Sequence, residues 1–351
     1  MDLRQEKLTK WVAKQLNQAD ITLAMVSGDA SFRRYFRTNV AGESWIAMDA
    51  PPALEDSSSF VAIAQYWLSQ GIQVPKIHHY DLELGFLLLN DMGDDILLTS
   101  LFLENPESEP NRASGDHYYA SAMQTLIKIQ SVQTDENYRL PPYDAELLQR
   151  EMALFPDWLL EKKLGLTLSV SDRNMLTESF ELLEKSALEQ PQVVVHRDYH
   201  ARNLMVLEDD SLGVIDFQDA VLGPITYDLV SLLRDCYIVW PEANVERWCQ
   251  QYYGLIQKQG ESSYDYAKFK TWFDFMGLQR HLKAAGIFAR LSLRDGKHGY
   301  LDDIPRTVEY LVNVSQNYAA LSAFRSFLVT KVQPMVAQTL MSDTVLEGVD
   351  L

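Results

Sequence analysis

The sequence contains little cysteine and no long apolar run. Two cysteines, Cys236 and Cys249, occur among 351 residues, which excludes a scaffold held together by disulfides. Both follow a helical apolar pattern, so we expect buried, reduced thiols. No stretch approaches the roughly twenty apolar residues of a membrane-spanning helix, and the first residues lack the apolar core of a signal peptide. We therefore expect a cytoplasmic protein without a membrane partner.

Positive charge is also scarce. The 31 Lys and Arg residues are outnumbered by 49 Asp and Glu residues, which gives a formal net charge of −18. This charge repels nucleic acid and anionic membranes, so neither is expected as a partner. It would attract a cationic substrate, although many acidic proteins carry such a charge for solubility alone. The hydrophobic content of 47% is typical of a globular protein, and the length is comfortable for two lobes.

The most informative stretch lies past the middle of the chain and contains the side chains that phosphoryl transfer requires. Short β-branched runs at 193–195 and 212–215 predict buried strands. Asp198 follows the first strand, Asn203 comes five residues later, and Asp216 ends the second strand. The Asp198 carboxylate is suited to accept a proton from an attacking hydroxyl. Asn203 and Asp216 offer hard oxygen ligands for Mg²⁺.

This spacing, within the stretch His-Arg-Asp-Tyr-His that begins at His196, resembles the catalytic and metal loops of the kinase superfamily. His200 and the later tail Pro224-Ile-Thr-Tyr-Asp-Leu229 are similar to the aminoglycoside phosphotransferase and choline kinase-like branch. That branch usually has Gly where this chain has Arg197. The resemblance implies that Asp198 is the catalytic base. His200 either approaches the substrate or packs under the loop.

The resemblance extends from Ser27 to about Leu311, and it implies a fold as well as an activity. It implies an α+β, two-lobed, protein-kinase-like fold with ATP and Mg²⁺ as cofactors. A small β-rich nucleotide-binding lobe would comprise residues 1–94. A larger, mainly helical catalytic and substrate-binding lobe would comprise residues 95–351. The sequence does not indicate an oligomeric state.

Other stretches resemble the bacterial anomeric kinases of N-acetylmuramate and N-acetylglucosamine. They are Ala30-Ser-Phe-Arg-Arg-Tyr-Phe-Arg37, Met48-Asp-Ala-Pro-Pro52, Gln279-Arg-His-Leu-Lys-Ala-Ala-Gly-Ile-Phe-Ala-Arg290 and Tyr300-Leu-Asp-Asp-Ile-Pro-Arg306. This resemblance implies phosphate transfer from ATP to a small-molecule sugar at its anomeric hydroxyl, in cell-wall recycling. An aminoglycoside or other amino-alcohol phosphotransferase is one alternative, which the acidic charge favours. A protein-substrate kinase is disfavoured, because Asp216 leads within eight positions into Pro224.

The N-terminal region supplies the predicted nucleotide contacts. Residues 27–37 and 43–49 predict a β-hairpin, whose first turn would lie over the phosphates of a nucleotide. A strand at 85–89 leads into a predicted hinge that would contact adenine through backbone groups. The cofactor-binding candidates in the turn and the hinge are Ser27, Gly28, Asp29, Asn90, Asp91 and Met92.

A phosphate-binding lysine is missing. Met48 stands at the position where most members of the resembling branch have Lys, and Phe60 stands near the position of its Glu partner. The joint loss is physically reasonable, because a buried carboxylate without a partner would be costly. Arg33 and Arg34 are the candidates for neutralising the phosphates, with ordinary surface strand residues as the other interpretation. The missing lysine also leaves a nucleotide-binding pseudokinase as a second alternative function.

A basic cluster stands out in this acidic chain. It contains the substrate candidates Arg280, His281 and Lys283, followed by Arg290 and Arg294. Spacings of three and seven put Arg280, Lys283 and Arg290 on one face of a helix. Such a face would suit the lactyl carboxylate of N-acetylmuramate. Ion pairs with the many acidic residues are the other interpretation.

Overall fold

The computed structural model describes residues 2–28, 32–102, 112–134, 138–260 and 263–339. The chain divides into two compact units. The first comprises Met1–Leu140 and His196–Ala220, and the second comprises Pro141–Val195 and Val221–Leu351. The predicted lobe division at residue 94 remains a proposal, since these units are defined by packing alone.

The strands of the described residues form three antiparallel sheets. In chain order they are β1 Ala24–Gly28, β2 Arg34–Val40, β3 Glu43–Asp49, β4 Ile77–Asp81, β5 Phe86–Asn90, β6 Gln192–Val195, β7 Leu204–Val206, β8 Leu212–Val214 and β9 Val221–Pro224. The first unit holds a five-stranded sheet in the order β1-β2-β3-β5-β4 and the hairpin β7-β8; the second holds the pair β6-β9. The predicted hairpin is confirmed: β2 pairs with β3 through the two-residue turn Ala41–Gly42, where both φ angles are positive.

The helices complete an α+β fold. They are α1 Leu3–Gln15, α2 Ser58–Ser69, α3 Leu97–Ser100, α4 Arg112–Gln130, α5 Ala145–Met152, α6 Val170–Leu188, α7 Tyr227–Leu233, α8 Glu242–Gln257, α9 Tyr266–Asp295, α10 Ile304–Ser315 and α11 Ser322–Phe327, with π-helical turns at Phe155–Lys163 and Leu328–Val332 and 3₁₀ turns at His298–Asp303 and Ala319–Leu321. None of these helices is both long and apolar enough to cross a bilayer. Cys236 and Cys249 are buried free thiols, as predicted.

Alternation along the strands gives the five-stranded sheet two different faces. Phe36, Ala47 and Phe86 point to one face, where they are buried against Leu8 and Val12 of α1. Each such apolar side chain contributes about 1.5–3 kcal/mol when it is fully buried. The opposite face carries the alternate residues of the same strands, and it is this face that lines the cavity described below.

The second unit is organised around α9. This helix contacts α5, α6, α7, α8 and α10 and buries side chains on several faces. Gly286 lets α9 pack directly against the backbone of Leu154, because a Cβ at this position would lie 2.4 Å from the backbone carbon of Leu154. The helix begins where Asp265 accepts a hydrogen bond from the backbone N–H of Lys268, and it ends at Gly296 with φ of 67°.

Candidate active site

A cavity of about 300 Å³ lies within the first unit. Its lining comes from strands β1–β3, α2, strand β5 and the segment that follows it, and the β7–β8 hairpin with the residues beside it. The lining residues are Val26, Tyr35, Arg37, Ile46, Phe60, Pro75, Leu89, Asn90, Asp91, Met92, Gly93, Asp94, Ile96, Asn203, Met205, Ile215 and Asp216. The cavity therefore brings the predicted hinge residues together with both predicted metal ligands.

His196 positions the loop that carries Asp198. Its ring is fully buried; Nε2 lies 2.9 Å from the carbonyl oxygen of Ile215, and the backbone N–H of Asp198 donates to Nδ1 at 3.2 Å. These two bonds require the neutral tautomer with the proton on Nε2. His196 thus joins the base candidate to the segment that carries Asp216. His200 belongs to the same loop: its N–H donates to the carbonyl of Asp198 at 3.0 Å, and its carbonyl accepts from the N–H of Asn203 at 2.9 Å.

Left-handed backbone occurs just before Asp198 and at Asp216 itself. Arg197 has φ of 80° and Asp216 has φ of 63°, values that cost a non-glycine residue free energy. The conformation explains why glycine suits the position of Arg197 in the resembling branch. Strain of this kind persists where the surrounding contacts determine the backbone, as the hydrogen bonds of His196 do here.

Asn203 and Asp216 lie side by side in the cavity wall. The Nδ2 of Asn203 is 3.5 Å from Oδ2 of Asp216 and donates to the carbonyl oxygen of Asp198 at 2.9 Å. Gln218 fixes the carboxylate from the other side, with Nε2 2.8 Å from Oδ1 of Asp216. One carboxylate with one amide is a donor set that fits Mg²⁺, which commonly takes few protein oxygens and completes its shell with phosphate and water. No group of three or more His, Cys, Asp or Glu suited to a metal occurs among the described residues.

The side chains of the predicted hinge hold its backbone in place. Asn90 Oδ1 accepts from the N–H of Lys76 at 2.6 Å. Both carboxylate oxygens of Asp91 accept hydrogen bonds from Arg37. Burial alone would raise the pKa of Asp91, but the bonds from Arg37, Ser44 and the backbone N–H of Gly93 outweigh it and hold this pKa below its ordinary value. Because these side chains are already engaged within the protein, this segment would contact the adenine of a nucleotide through backbone groups.

Met92, the third hinge candidate, packs against the β7–β8 hairpin. Its Cε lies 2.1 Å from where a Cβ would stand on Gly213. Glycine at this strand position therefore makes room for the methionine side chain. The contact brings the hinge close to the hairpin that carries Met205, another residue of the cavity lining.

The structure separates the two arginine candidates. Arg34 lies on the α1 face of the sheet and pairs with Asp2 and Asp49. Arg33 precedes it with the opposite orientation, is buried, and pairs with Glu55 at 3.1 Å. Neither arginine lines the cavity within the described residues. A phosphate role for either one therefore stays a prediction.

The predicted phosphate turn is only partly visible. Ser27 and Gly28 end β1, where Ser27 pairs with Tyr35 and Gly28 pairs with Arg34. Asp29 lies outside the described residues. Val26 of β1 lines the cavity.

Apolar side chains occupy the region where the lysine and glutamate of the resembling branch would stand. Met48 is fully buried, and Phe60 is 3% exposed. The Phe60 ring stacks on Phe217, the residue after Asp216, with centroids 4.8 Å apart. Trp67 of α2 also contacts the rings of Phe217 and His196. Aromatic packing thus connects α2 to the loop that carries Asp216.

The basic cluster of α9 belongs to the second unit and is engaged there. Lys283 is buried; its Nζ lies 3.2 Å from Glu151 and donates to the hydroxyl of Tyr227 at 3.0 Å. The guanidinium of Arg280 lies over the Tyr227 ring at 4.8 Å. The buried ring of His281 has Nε2 3.1 Å from the carbonyl of Arg234. Of these contacts, that of Lys283 with Glu151 is an ion pair of the kind given as the other interpretation, and a substrate role for the three residues remains a prediction.

Sequence reasoning missed Arg37 and Gln218. Arg37 shares its strand face with Tyr35, so alternation along β2 assigns it to the cavity side once that side is known. Its carboxylate partner in the hinge is distant in sequence and has no local signature. Gln218 lies two residues beyond Asp216, and no pattern distinguishes it from an ordinary loop glutamine.

Comparison with known proteins agrees with this geometry. Residues 22–268 match the family described as "Phosphotransferase enzyme family". An N-acetylmuramate/N-acetylglucosamine kinase of Pseudomonas putida is 43% identical over 324 residues, which are 89% of this chain and 92% of that protein. The enzyme of the same name from Pseudomonas aeruginosa is 44% identical over 290 residues, 82% of each chain.

Solved structures confirm the fold class. The choline kinase LicA from Streptococcus pneumoniae superposes with a TM-score of 0.60 at 14% identity, covering 88% of this chain and 99% of that one. At this identity the likeness shows the fold alone, which is the predicted α+β fold of the kinase type. With the family match and both relatives, it follows that this chain belongs to the phosphotransferase enzyme family.

Proposed function

We propose that the chain is an ATP- and Mg²⁺-dependent sugar kinase that acts in the cytoplasm. The proposed acceptor is the anomeric hydroxyl of N-acetylmuramate or N-acetylglucosamine. The observation that carries this proposal is the cavity of the first unit, which combines an apolar lining with the neighbouring oxygen ligands Asn203 and Asp216. The names of the relatives at 43% and 44% identity support the choice of acceptor.

The residues divide the chemistry between them. Apolar side chains such as Ile46, Leu89 and Met205 suit the faces of an adenine ring. Asn203 and Asp216 would hold Mg²⁺, which when bound neutralises phosphate charge. The sugar hydroxyl oxygen attacks the γ-phosphorus, the bond to the ADP oxygen breaks, and the hydroxyl proton passes to the carboxylate of Asp198.

An ADP-release assay with ATP and Mg²⁺ tests the proposal on N-acetylmuramate, N-acetylglucosamine, glucose, choline and kanamycin. We expect turnover on the two N-acetyl sugars alone. Phosphorylation at C1 removes the reducing end of the sugar, so loss of reducing power in step with ADP release identifies the anomeric position. Retained reducing power would assign another hydroxyl.

Two other outcomes correspond to the alternative functions. Turnover on kanamycin or choline alone would mean that the protein is an amino-alcohol phosphotransferase and not a sugar kinase. The net charge of −18 favours that alternative, because it would attract a cationic acceptor. ATP binding without turnover on any acceptor would favour a pseudokinase. The presence of Met48 at the position of the lysine supports that alternative. The variant Asp198→Asn serves as the background control for ADP release.

A further inference from the structure

Gln218 lies two residues beyond Asp216, in a tight turn of the first unit. The backbone N–H of Ala220 donates to the carbonyl oxygen of Phe217 at 3.1 Å, which closes a turn with Gln218 at its first central position. Phe217, where the turn begins, is held by its stacking on Phe60. Within this turn the Gln218 side chain reaches back to Asp216, and only 9% of the residue is exposed.

The amide of Gln218 donates to one particular oxygen of the Asp216 carboxylate. Its Nε2 lies 2.8 Å from Oδ1 of Asp216, and 3.5 Å from Oδ2 of the exposed Asp219. The other oxygen of Asp216, Oδ2, is the one on the side of Asn203, whose Nδ2 is 3.5 Å away. The shorter hydrogen bond therefore goes to the oxygen that faces away from the second proposed metal ligand.

The amide of Asn203 has a defined orientation as well. Its Nδ2 donates to the carbonyl oxygen of Asp198 at 2.9 Å, so Oδ1 is the atom of this side chain that can bind a cation. The backbone N–H of Ile215 donates to the carbonyl oxygen of Asn203 at 3.1 Å and joins the two segments that carry the ligands. The site thus presents one amide oxygen and one carboxylate whose rotation is restrained.

The rest of the Gln218 amide contributes no stability of its own. Its buried Oε1 has no hydrogen-bond partner in the described part of the chain, and an unsatisfied buried acceptor costs about 1–3 kcal/mol. An apolar side chain of the same length would avoid this cost but could not donate to Asp216. The N–H that Gln218 donates is therefore the feature that distinguishes glutamine from an apolar residue at this position.

Mg²⁺ and Ca²⁺ place different demands on a carboxylate. Mg²⁺ requires near-octahedral geometry and few protein oxygens, whereas Ca²⁺ accepts about six to eight oxygens in flexible geometry and often takes both oxygens of one carboxylate. The donor at Oδ1 of Asp216 restrains the rotation of this carboxylate and places a positive partial charge beside that oxygen. Binding of a cation through both oxygens of Asp216 is thereby disfavoured.

We propose that Gln218 is a positioning residue that restricts Asp216 to one metal-binding oxygen and so makes the site selective for Mg²⁺ over Ca²⁺. The inference rests on the proposed function, because it takes Asn203 and Asp216 as the metal ligands. Gln218 acts only through Asp216 and does not itself bind the cation. A role confined to the stability of the turn would affect both cations equally.

Calorimetric titration of ADP into the intact protein with Mg²⁺, with Ca²⁺ and without a divalent cation tests this proposal. Gln218→Met keeps the length of the side chain and removes the donor. The ratio of ADP affinity with Mg²⁺ to that with Ca²⁺ should fall about tenfold, as expected for a lost hydrogen bond to a charged group. Gln218→Glu replaces the donor by an acceptor of the same shape and should shift the ratio in the same direction. Gln124→Met, at an exposed position of the same unit, is the matched control.

Equal weakening of ADP binding with both cations in Gln218→Met would show that the residue supports only the turn, and it would overturn the proposal. A ratio that stays within about twofold of the parent value in both variants would overturn it too. If Gln218→Met does not fold, Gln218→Glu measures the same ratio.

Failure of the proposed function gives a different result. ADP binding that ignores divalent cations in the parent protein would refute the metal site and the role of Gln218 together. Metal-dependent binding with an unchanged ratio in the variants would refute the role of Gln218 alone. Absent turnover on every acceptor, combined with a shifted ratio, would refute the kinase activity and still support Gln218 as the residue that sets the choice of cation.

Discussion

Arg37 and Asp91 form a two-bond ion pair that ties strand β2 to the hinge. Nε of Arg37 lies 2.6 Å from one carboxylate oxygen of Asp91, and Nη2 lies 3.1 Å from the other. Nη1 of the same guanidinium donates to Asp94 at 2.8 Å, and the hydroxyl of Ser44 on β3 donates to Asp91 at 2.6 Å. The hinge backbone is thereby fixed to the sheet in a geometry that a single ion-pair contact would not define.

Replacing Arg37 should weaken nucleotide binding. In Arg37→Met the Asp91 carboxylate loses its main partner and the hinge loses its fixed position, so we expect KM for ATP to rise about tenfold. KM for the sugar at saturating ATP should hardly change. Steady-state kinetics with each substrate varied in turn measures both values. Arg139→Met, at an exposed position of the same unit, is the control; a change confined to the sugar KM would contradict the assignment.

Replacement of Asp198 should reduce turnover, whereas replacement of Asp216 should reduce Mg²⁺-dependent nucleotide binding. Asp198→Ala should leave Mg·ADP affinity near that of the parent protein while kcat falls by about 10²–10⁴, the usual range for removing a general base. Asp216→Ala should weaken nucleotide binding only when Mg²⁺ is present. Calorimetric titration of ADP with and without Mg²⁺, beside kcat, separates the two. Retained turnover in the first variant, or unchanged metal dependence in the second, would show that the role is misassigned.

The buried pair of Lys283 and Glu151 should be important for stability. Lys283→Met leaves the Glu151 carboxylate buried without its cation, so the free energy of unfolding should fall by about 3–5 kcal/mol. The double variant Glu151→Gln/Lys283→Met should recover part of this loss. Urea unfolding measures both, with Lys268→Met as the control, because its exposed pair with Glu189 contributes at most about 1 kcal/mol. A raised sugar KM with unchanged stability would support the substrate role instead.

His281 should make the free energy of unfolding depend on pH in the acidic range. Burial, and to a smaller extent the nearby Arg234 and Arg280, lower its pKa from 6.5 to about 3. Between these values the unfolded chain binds a proton that the folded chain does not. Stability from this group is therefore complete above pH 6.5 and falls by about 1.4 kcal/mol per pH unit as the pH decreases toward 3.

Urea unfolding at pH 7 and pH 5 measures this dependence. The loss of stability between the two values should be about 2 kcal/mol smaller in His281→Gln than in the parent protein, from the same relation. His79→Gln, at an exposed position, is the control. Parallel curves for the parent protein and His281→Gln would mean that His281 does not titrate as its burial requires.

Both thiols should be inert in the folded protein. Burial raises the pKa of Cys236 and of Cys249 to about 12, so little reactive thiolate forms at neutral pH. Ellman's reagent should therefore detect almost no thiol in the native protein and two after denaturation, the number in the sequence. Rapid reaction of either thiol in native buffer would contradict the packing around it.

Local patterns predicted much of the fold and part of the site. The hairpin of β2 and β3 and the strands that flank Asp198 and Asp216 all follow from apolar periodicity and turn residues. The spacing of Asp198, Asn203 and Asp216 was informative because a single short loop and one hairpin bring these residues together. The partners of individual side chains could not be predicted in the same way. Arg33 and Arg34 are equivalent in sequence, and the structure distinguishes them by the side of the sheet on which each one lies.

By itself the sequence determined the identity and order of the phosphoryl-transfer residues, the hairpin of β2 and β3 and the helical character of the remainder. These features depend on interactions between residues that are close in the chain. Only the tertiary structure decided that Arg37 binds Asp91 and that Lys283 binds Glu151. Such partners are selected by strand register and helix packing, which pair distant residues according to shape and charge that no local pattern encodes.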